Sequence, residues 1–277
     1  SLILEGKVNK AIKELKSNEN RKNSDFFEAY LLLIIDSNNK NDFKKITKYL
    51  NNLTKFGGND TLNLVIYESL KNYNFLFENK RMPSNDSAFS NLTLISRAFQ
   101  SCYLGQKQTQ FYFFDLINNK EVDYSRYIFF YINNLIEQNK FQTAKVTTDQ
   151  IDFLNSSLLN MQTKNWIDNK KLEKFTEIFS CKDESNILSE FFYLIASLYS
   201  SQNDFEKSNF YINISNFLNP KSFYVEFNKV KKQKKILLTV DDAFSSFYKN
   251  AWPYLRKNKI PFFAKLSIAR VLTVLTP

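Results

Sequence analysis

From Leu2 to about Pro220 the apolar residues recur at intervals of three and four, and no other feature constrains the fold as strongly. Phe26, Tyr30, Leu33 and Ser37 fall on one helical stripe, and Phe43, Ile46, Leu50 and Leu53 on the next. Polar turn chemistry interrupts the stripes at Ser37-Asn38-Asn39-Lys40-Asn41, at Gly57-Gly58-Asn59-Asp60 and at Met82-Pro83-Ser84-Asn85-Asp86. Only 4 glycines and 5 prolines occur in 277 residues, which is poor material for a turn-dense β protein or a Gly-rich phosphate loop. The 28 phenylalanines and 15 tyrosines suit long helices packed through aromatic side chains. The expected fold is therefore mainly all-α, helix following helix through short links.

One stretch carries a repeat pattern. Between Ser189 and Pro220, Phe192, Ile195, Ala196, Tyr199, Ser208, Ile212 and Pro220 stand at the offsets where a helical-hairpin repeat places large, small and helix-stopping residues. Ala196 and Ser208 are small enough to let the two helices approach closely. Phe192 and Tyr199 are expected to fill the space towards the neighbouring unit, and Pro220 to stop the second helix. This stretch resembles a tetratricopeptide repeat. The resemblance implies a right-handed superhelix of helical hairpins over residues 1–220, with a protein or peptide partner in its concave groove. Degenerate copies fit the same reading. The turn Asn203-Asp204-Phe205 recurs as Asn139-Lys140-Phe141 and Asn41-Asp42-Phe43, and Ala144 follows Phe141 as Ser208 follows Phe205. Gly6-Lys7-Val8, followed by Ala11, reads as a turn leading into the second helix of a repeat. Ile46 and Ile132 stand where small residues belong, and no period runs unbroken through the chain.

After Pro220 the pattern changes. A basic run, Lys231-Lys232-Gln233-Lys234-Lys235, leads into Ile236-Leu237-Leu238-Thr239-Val240, which reads as a buried strand ending in Asp241 and Asp242. Phe244, Phe247, Ala251 and Leu255 share one helical face, and Ile260-Pro261-Phe262-Phe263 reads as the start of a second strand. The expectation for residues 221–277 is a short strand–helix–strand fragment with its carboxylates at the end of the first strand. That segment, from about Lys234 to Phe262, resembles the opening motif of the polysaccharide deacetylase family. The matching residues are Thr239-Val240-Asp241-Asp242-Ala243, Phe247-Tyr248-Lys249-Asn250-Ala251, Pro253-Tyr254-Leu255 and Lys257-Asn258-Lys259-Ile260-Pro261. The resemblance implies Asp241 as general base and Asp242 as ligand of a divalent metal, usually zinc, in the removal of an N-acetyl group from an amino sugar, a hydrolysis of a non-peptide carbon–nitrogen bond. The family takes two further ligands from histidines. This chain has no histidine, and Ala243 replaces the motif glycine. The expectation is an interaction scaffold that binds no cofactor and is not catalytic as it stands. Its tail is read as a truncated deacetylase start, with a decayed domain or a chance match as the alternatives.

The remaining chemistry is narrow. Without histidine there is no His-dependent triad, and neither GxxxxGK[ST] nor GxGxxG occurs. Cys102 and Cys181 lie far apart and form no CxxC pair; they read as buried structural thiols, which leans towards a reducing, cytoplasmic setting. The net charge of +10 allows contact with nucleic acid, but the lysines are scattered and their clusters short, so nucleic acid is not the expected partner. No apolar run approaches the ~20 residues of a membrane span.

Overall fold

The computed structural model describes residues 2–17, 26–56, 61–84, 90–118, 126–151 and 158–221, and the backbone of 238–241 and 262–265. The chain divides into two compact units, Ser1–Ser222 and Phe223–Pro277. The first is built from helices: α1 (Val8–Ser17), α2 (Phe27–Asn38), α3 (Phe43–Leu53), α4 (Thr61–Asn79), α5 (Ser90–Leu104), α6 (Thr109–Ile117), α7 (Tyr127–Glu137), α8 (Phe141–Asp149), α9 (Leu158–Asp168), α10 (Glu173–Ile178), α11 (Glu184–Ser201) and α12 (Phe205–Leu218). No described helix is long and apolar enough to cross a membrane.

One turn geometry recurs. Gly6, Asn41, Gly105, Asn139, Lys170 and Asn203 all have positive φ, between 54° and 74°. After each of them the next N–H donates back to the carbonyl five residues earlier: Lys7 to Leu2 at 2.8 Å, Asp42 to Ser37 at 2.9 Å, Gln106 to Ser101 at 3.0 Å, Lys140 to Leu135 at 2.8 Å, Lys171 to Trp166 at 2.8 Å and Asp204 to Tyr199 at 3.0 Å. This is the left-handed closing turn that satisfies the last carbonyls of a helix. A new helix begins within a few residues each time. Asp42 and Asp204 then cap α3 and α12, their carboxylates accepting from Lys45 N and Lys207 N. The result is five hairpins, α2–α3, α5–α6, α7–α8, α9–α10 and α11–α12, with α1 led in by the Gly6 turn. Successive turns lie about one 34-residue repeat apart, except that the interval from Asn41 to Gly105 holds two, with the long helix α4 in between.

The core is aromatic and continuous. Phe99 of α5 meets Phe113 of α6 (ring centroids 5.5 Å apart), Phe130 of α7 (5.0 Å) and Phe179 of the α10–α11 link (5.7 Å). Phe175 of α10 lies against Phe129 of α7 and Trp166 of α9. Each large side chain buried in this way contributes about 2 kcal/mol. The predicted stripes hold in part. On α3, Ile46, Leu50 and Leu53 are buried as expected. On α2 the run Leu31–Ile35 is buried on every side, because α1 and α3 both pack against it, while Phe26 is exposed.

The last hairpin reaches beyond its sequence neighbours: α12 packs on α1 and α11 on α4. In an open superhelix each unit touches only the units next to it; these contacts are additional. The turn expected at Gly57–Asp60 and the residues from Asn85 of the Met82–Asp86 turn lie outside the described residues.

In the second unit β1 (Leu238–Asp241) and β2 (Phe262–Lys265) pair in parallel, Leu238 opposite Phe262 and Asp241 opposite Lys265. The helix expected between them lies outside the described residues, as does Asp242.

Candidate functional site

The residues singled out for repeat packing sit on α11 and α12. Phe192, Ala196 and Tyr199 are buried, Ser208 is half-buried, and Pro220 is exposed just past the end of α12. Phe192 and Tyr199 both stack on Tyr211 of their own hairpin, with centroids 6.1 and 5.4 Å apart and rings inclined by only 10° and 2°. Phe191, one position round the helix, faces away and meets Tyr73 of α4 at 5.8 Å. A step of one residue rotates a side chain by roughly 100° about the helix, so the two adjacent phenylalanines serve different interfaces. The close crossing of the hairpin also has a polar clasp: Ser189 Oγ donates to Ser215 O at 2.9 Å and Ser215 Oγ to Ser189 O at 2.8 Å. Tyr199 and Tyr211 are core residues and unavailable to a partner.

A polar seam surrounds α11. Arg126, at the start of α7, donates to both oxygens of Glu190, at 2.7 Å each, and its guanidinium lies 4.0 Å from the Tyr193 ring centroid. Burial pushes the Glu190 carboxyl above the usual carboxylate range against the pull of Arg126. Burial also opposes the charge on Arg126, but the Glu190 carboxylate and Tyr193 hold the guanidinium above its ordinary value. Tyr73, fully buried nearby, is pushed up to about 12 by burial. Nearer the start of α11, Tyr103 Oη donates to Glu184 Oε1 at 2.6 Å, and Lys80 bonds to both Tyr103 and Glu184. Burial and the Glu184 carboxylate raise the Tyr103 phenol. Lys182 Nζ donates to Tyr103 O at 2.7 Å. These groups bond to one another and hold helices together.

The two cysteines are buried, as expected, but they are not thiols: Cys102 and Cys181 form a disulfide, with Cα atoms 5.6 Å apart. They are separated by 79 residues. Nothing in their local sequence signals the pairing; the folding of α5 against the α10–α11 link brings them together.

Asp241 ends β1 at its carboxyl side, opposite Lys265. The zinc site implied by the deacetylase resemblance does not fit the residues present. The chain has no histidine to complete a ligand set, and among the described residues no three His, Cys, Asp or Glu side chains gather as a cation site.

Some large apolar side chains stay in water. On α6, Phe111 is 71% and Phe114 52% exposed, three residues apart and so on one helix face. Val146 on α8 and Phe205 at the start of α12 are also exposed.

Comparison with protein-family models, with curated proteins and with solved structures finds no match to this chain. The first unit is an all-helical protein of repeat-like hairpins.

Proposed function

We propose that residues 2–221 form a protein-binding scaffold of the tetratricopeptide kind, its hairpins stacked with the right-handed sense of that repeat class. The observation that carries this reading is the six-fold recurrence of one left-handed turn, which closes a helix at Asn41, Gly105, Asn139, Lys170 and Asn203, close to a repeat length apart. Hairpin arrays of this kind serve as platforms for peptides and partner helices. A concave groove is where the resemblance locates the partner. In this chain α11 packs on α4 and is pinned by Arg126, so the face most open to a partner is the one bearing Phe111 and Phe114. A photo-crosslinking residue at Phe111 or Phe114, compared with one at Lys10 on α1, tests this in the producing cell. Discrete adducts from the α6 positions alone support the reading. Equal labelling at all three positions, or none, counts against it.

The second reading is the start of a metal-dependent N-deacetylase acting on amino sugars. What favours it is the parallel pairing of two short strands, which demands a crossover connection, with Asp241 at the carboxyl end of the first. By the resemblance Asp241 is the general base and Asp242 the metal ligand. The missing histidines weigh against turnover by this chain. Zinc analysis of the purified chain and acetate release from N-acetylglucosamine oligomers decide the matter. Stoichiometric metal with turnover that Asp241→Asn abolishes establishes the second reading over the first.

A further inference from the structure

The disulfide sits where two independently organised segments meet. Cys102 lies in the last turn of α5, and Cys181 in the link that precedes α11. Several hydrogen bonds dock the second segment without help from the sulfurs. Lys182 Nζ donates to Tyr103 O at 2.7 Å, Tyr103 Oη to Glu184 Oε1 at 2.6 Å, and Asn133 Nδ2 to Phe179 O at 2.7 Å. Phe179 itself packs against both Phe99 and Phe130. These contacts flank the two cysteines and involve neither sulfur. Asn134 Nδ2 lies 3.5 Å from Cys102 Sγ, and both cysteines are only 2% exposed. The hairpin that follows carries the contacts to α4, α7 and α1.

We propose that the Cys102–Cys181 bond is a staple acquired in an oxidising compartment, fastening the α11–α12 hairpin to the middle of the helical array and shielded from thiol reductants while that array is folded. Disulfides persist in such compartments and are rare where thiol reductants dominate. The bond forms by exchange with an external disulfide, of the glutathione or protein-oxidoreductase class. One cysteine thiolate attacks a sulfur of that disulfide and expels a thiolate, leaving a mixed disulfide. The second cysteine thiolate attacks the protein sulfur of the mixed disulfide and expels a second thiolate. Two electrons pass to the oxidant, and the two protons that the cysteines give to solvent are matched by the two that the expelled thiolates take up to leave as thiols. Once formed, the bond leaves no path for an incoming thiolate unless the seam opens, because both cysteines are buried.

The test uses the full chain, purified without reductant after export to an oxidising compartment. Its thiols are counted by mass spectrometry after alkylation, natively and in urea. No alkylation is expected in either condition. Millimolar dithiothreitol is expected to leave the native bond intact for hours and to cleave it at once in urea. The reduced and alkylated chain, or the Cys102→Ser/Cys181→Ser variant, is expected to melt about 10 °C lower, because the bond closes a 79-residue loop. Free thiols in the exported protein overturn the proposal, and so does reduction of the native protein within minutes. An unchanged melting temperature overturns the fastening role. If the double variant does not fold, the native-versus-urea reduction rates of the unaltered chain still decide.

Discussion

Replacing Glu190 by Gln tests whether the Arg126 pair is as dry as its geometry requires. Glu190 is buried, with a relative exposure of 5%, and Arg126 is half-buried, with 23%. Glu190→Gln keeps the shape and one acceptor but leaves a guanidinium without its counter-charge. Removing one partner of a buried ion pair costs about 3–5 kcal/mol. The Tyr193 ring, 4.0 Å away, still attracts the cation by about 1 kcal/mol, which places the expected loss near the lower end, at about 3 kcal/mol. For a unit of this size that lowers the melting temperature by about 6–12 °C. Urea titration followed by circular dichroism gives the free energy directly, provided the slope m is unchanged. The double replacement Arg126→Met/Glu190→Leu removes both charges and is expected to recover most of the loss, to within about 1 kcal/mol of the unaltered chain. A loss below about 1 kcal/mol for Glu190→Gln alone means that water reaches the pair, and the argument from burial fails.

Three further outcomes follow from the same structure. Ser215→Ala, which removes one half of the reciprocal clasp with Ser189, is expected to cost about 1–2 kcal/mol, and Ser215→Val more, because the α11–α12 crossing has no room for a branched side chain; equilibrium unfolding of both variants checks this. Lys170 closes α9 with φ of 55°, a conformation unfavourable to any residue with a Cβ, so Lys170→Gly is expected to stabilise by up to about 1 kcal/mol; a loss of melting temperature refutes it. Asp36 of α2 pairs with Lys16 of α1 and with Lys40; although burial opposes its charge, these lysines hold its carboxyl below the usual range. Its stabilisation is therefore present above the unfolded-state value and lost as pH falls through the depressed folded-state value. Asp36→Asn should cost about 0.5–1 kcal/mol at neutral pH and nothing at the acid end of a pH series of melts; a difference that persists there removes the electrostatic explanation.

The deacetylase resemblance and the scaffold reading make different demands on the chain. The first needs ligands that no residue of this sequence supplies, since histidine is absent. The second needs only rigid hairpins and an exposed apolar face, which α6 presents in Phe111 and Phe114.

Sequence alone determined the local grammar of this protein. The helical stripes, the Asn-x-Phe turns at Asn41, Asn139 and Asn203, and the stop at Pro220 are legible because each rests on residues within a few positions of one another. Asparagine tolerates left-handed backbone, and glycine does so at no steric penalty; the equivalent turn at Lys170 gave no such signal, because lysine enters that conformation only when the helices on either side impose it. Tertiary structure decided which face meets which. Whether Phe191 or Phe192 points towards α4, whether Arg126 finds Glu190, and whether Cys102 finds Cys181 depend on how helices distant in the chain pack, and periodicity contains no term for that distance. The same holds for the last hairpin, whose contacts with α1 and α4 come from apolar faces that the helices next to it in sequence leave uncovered.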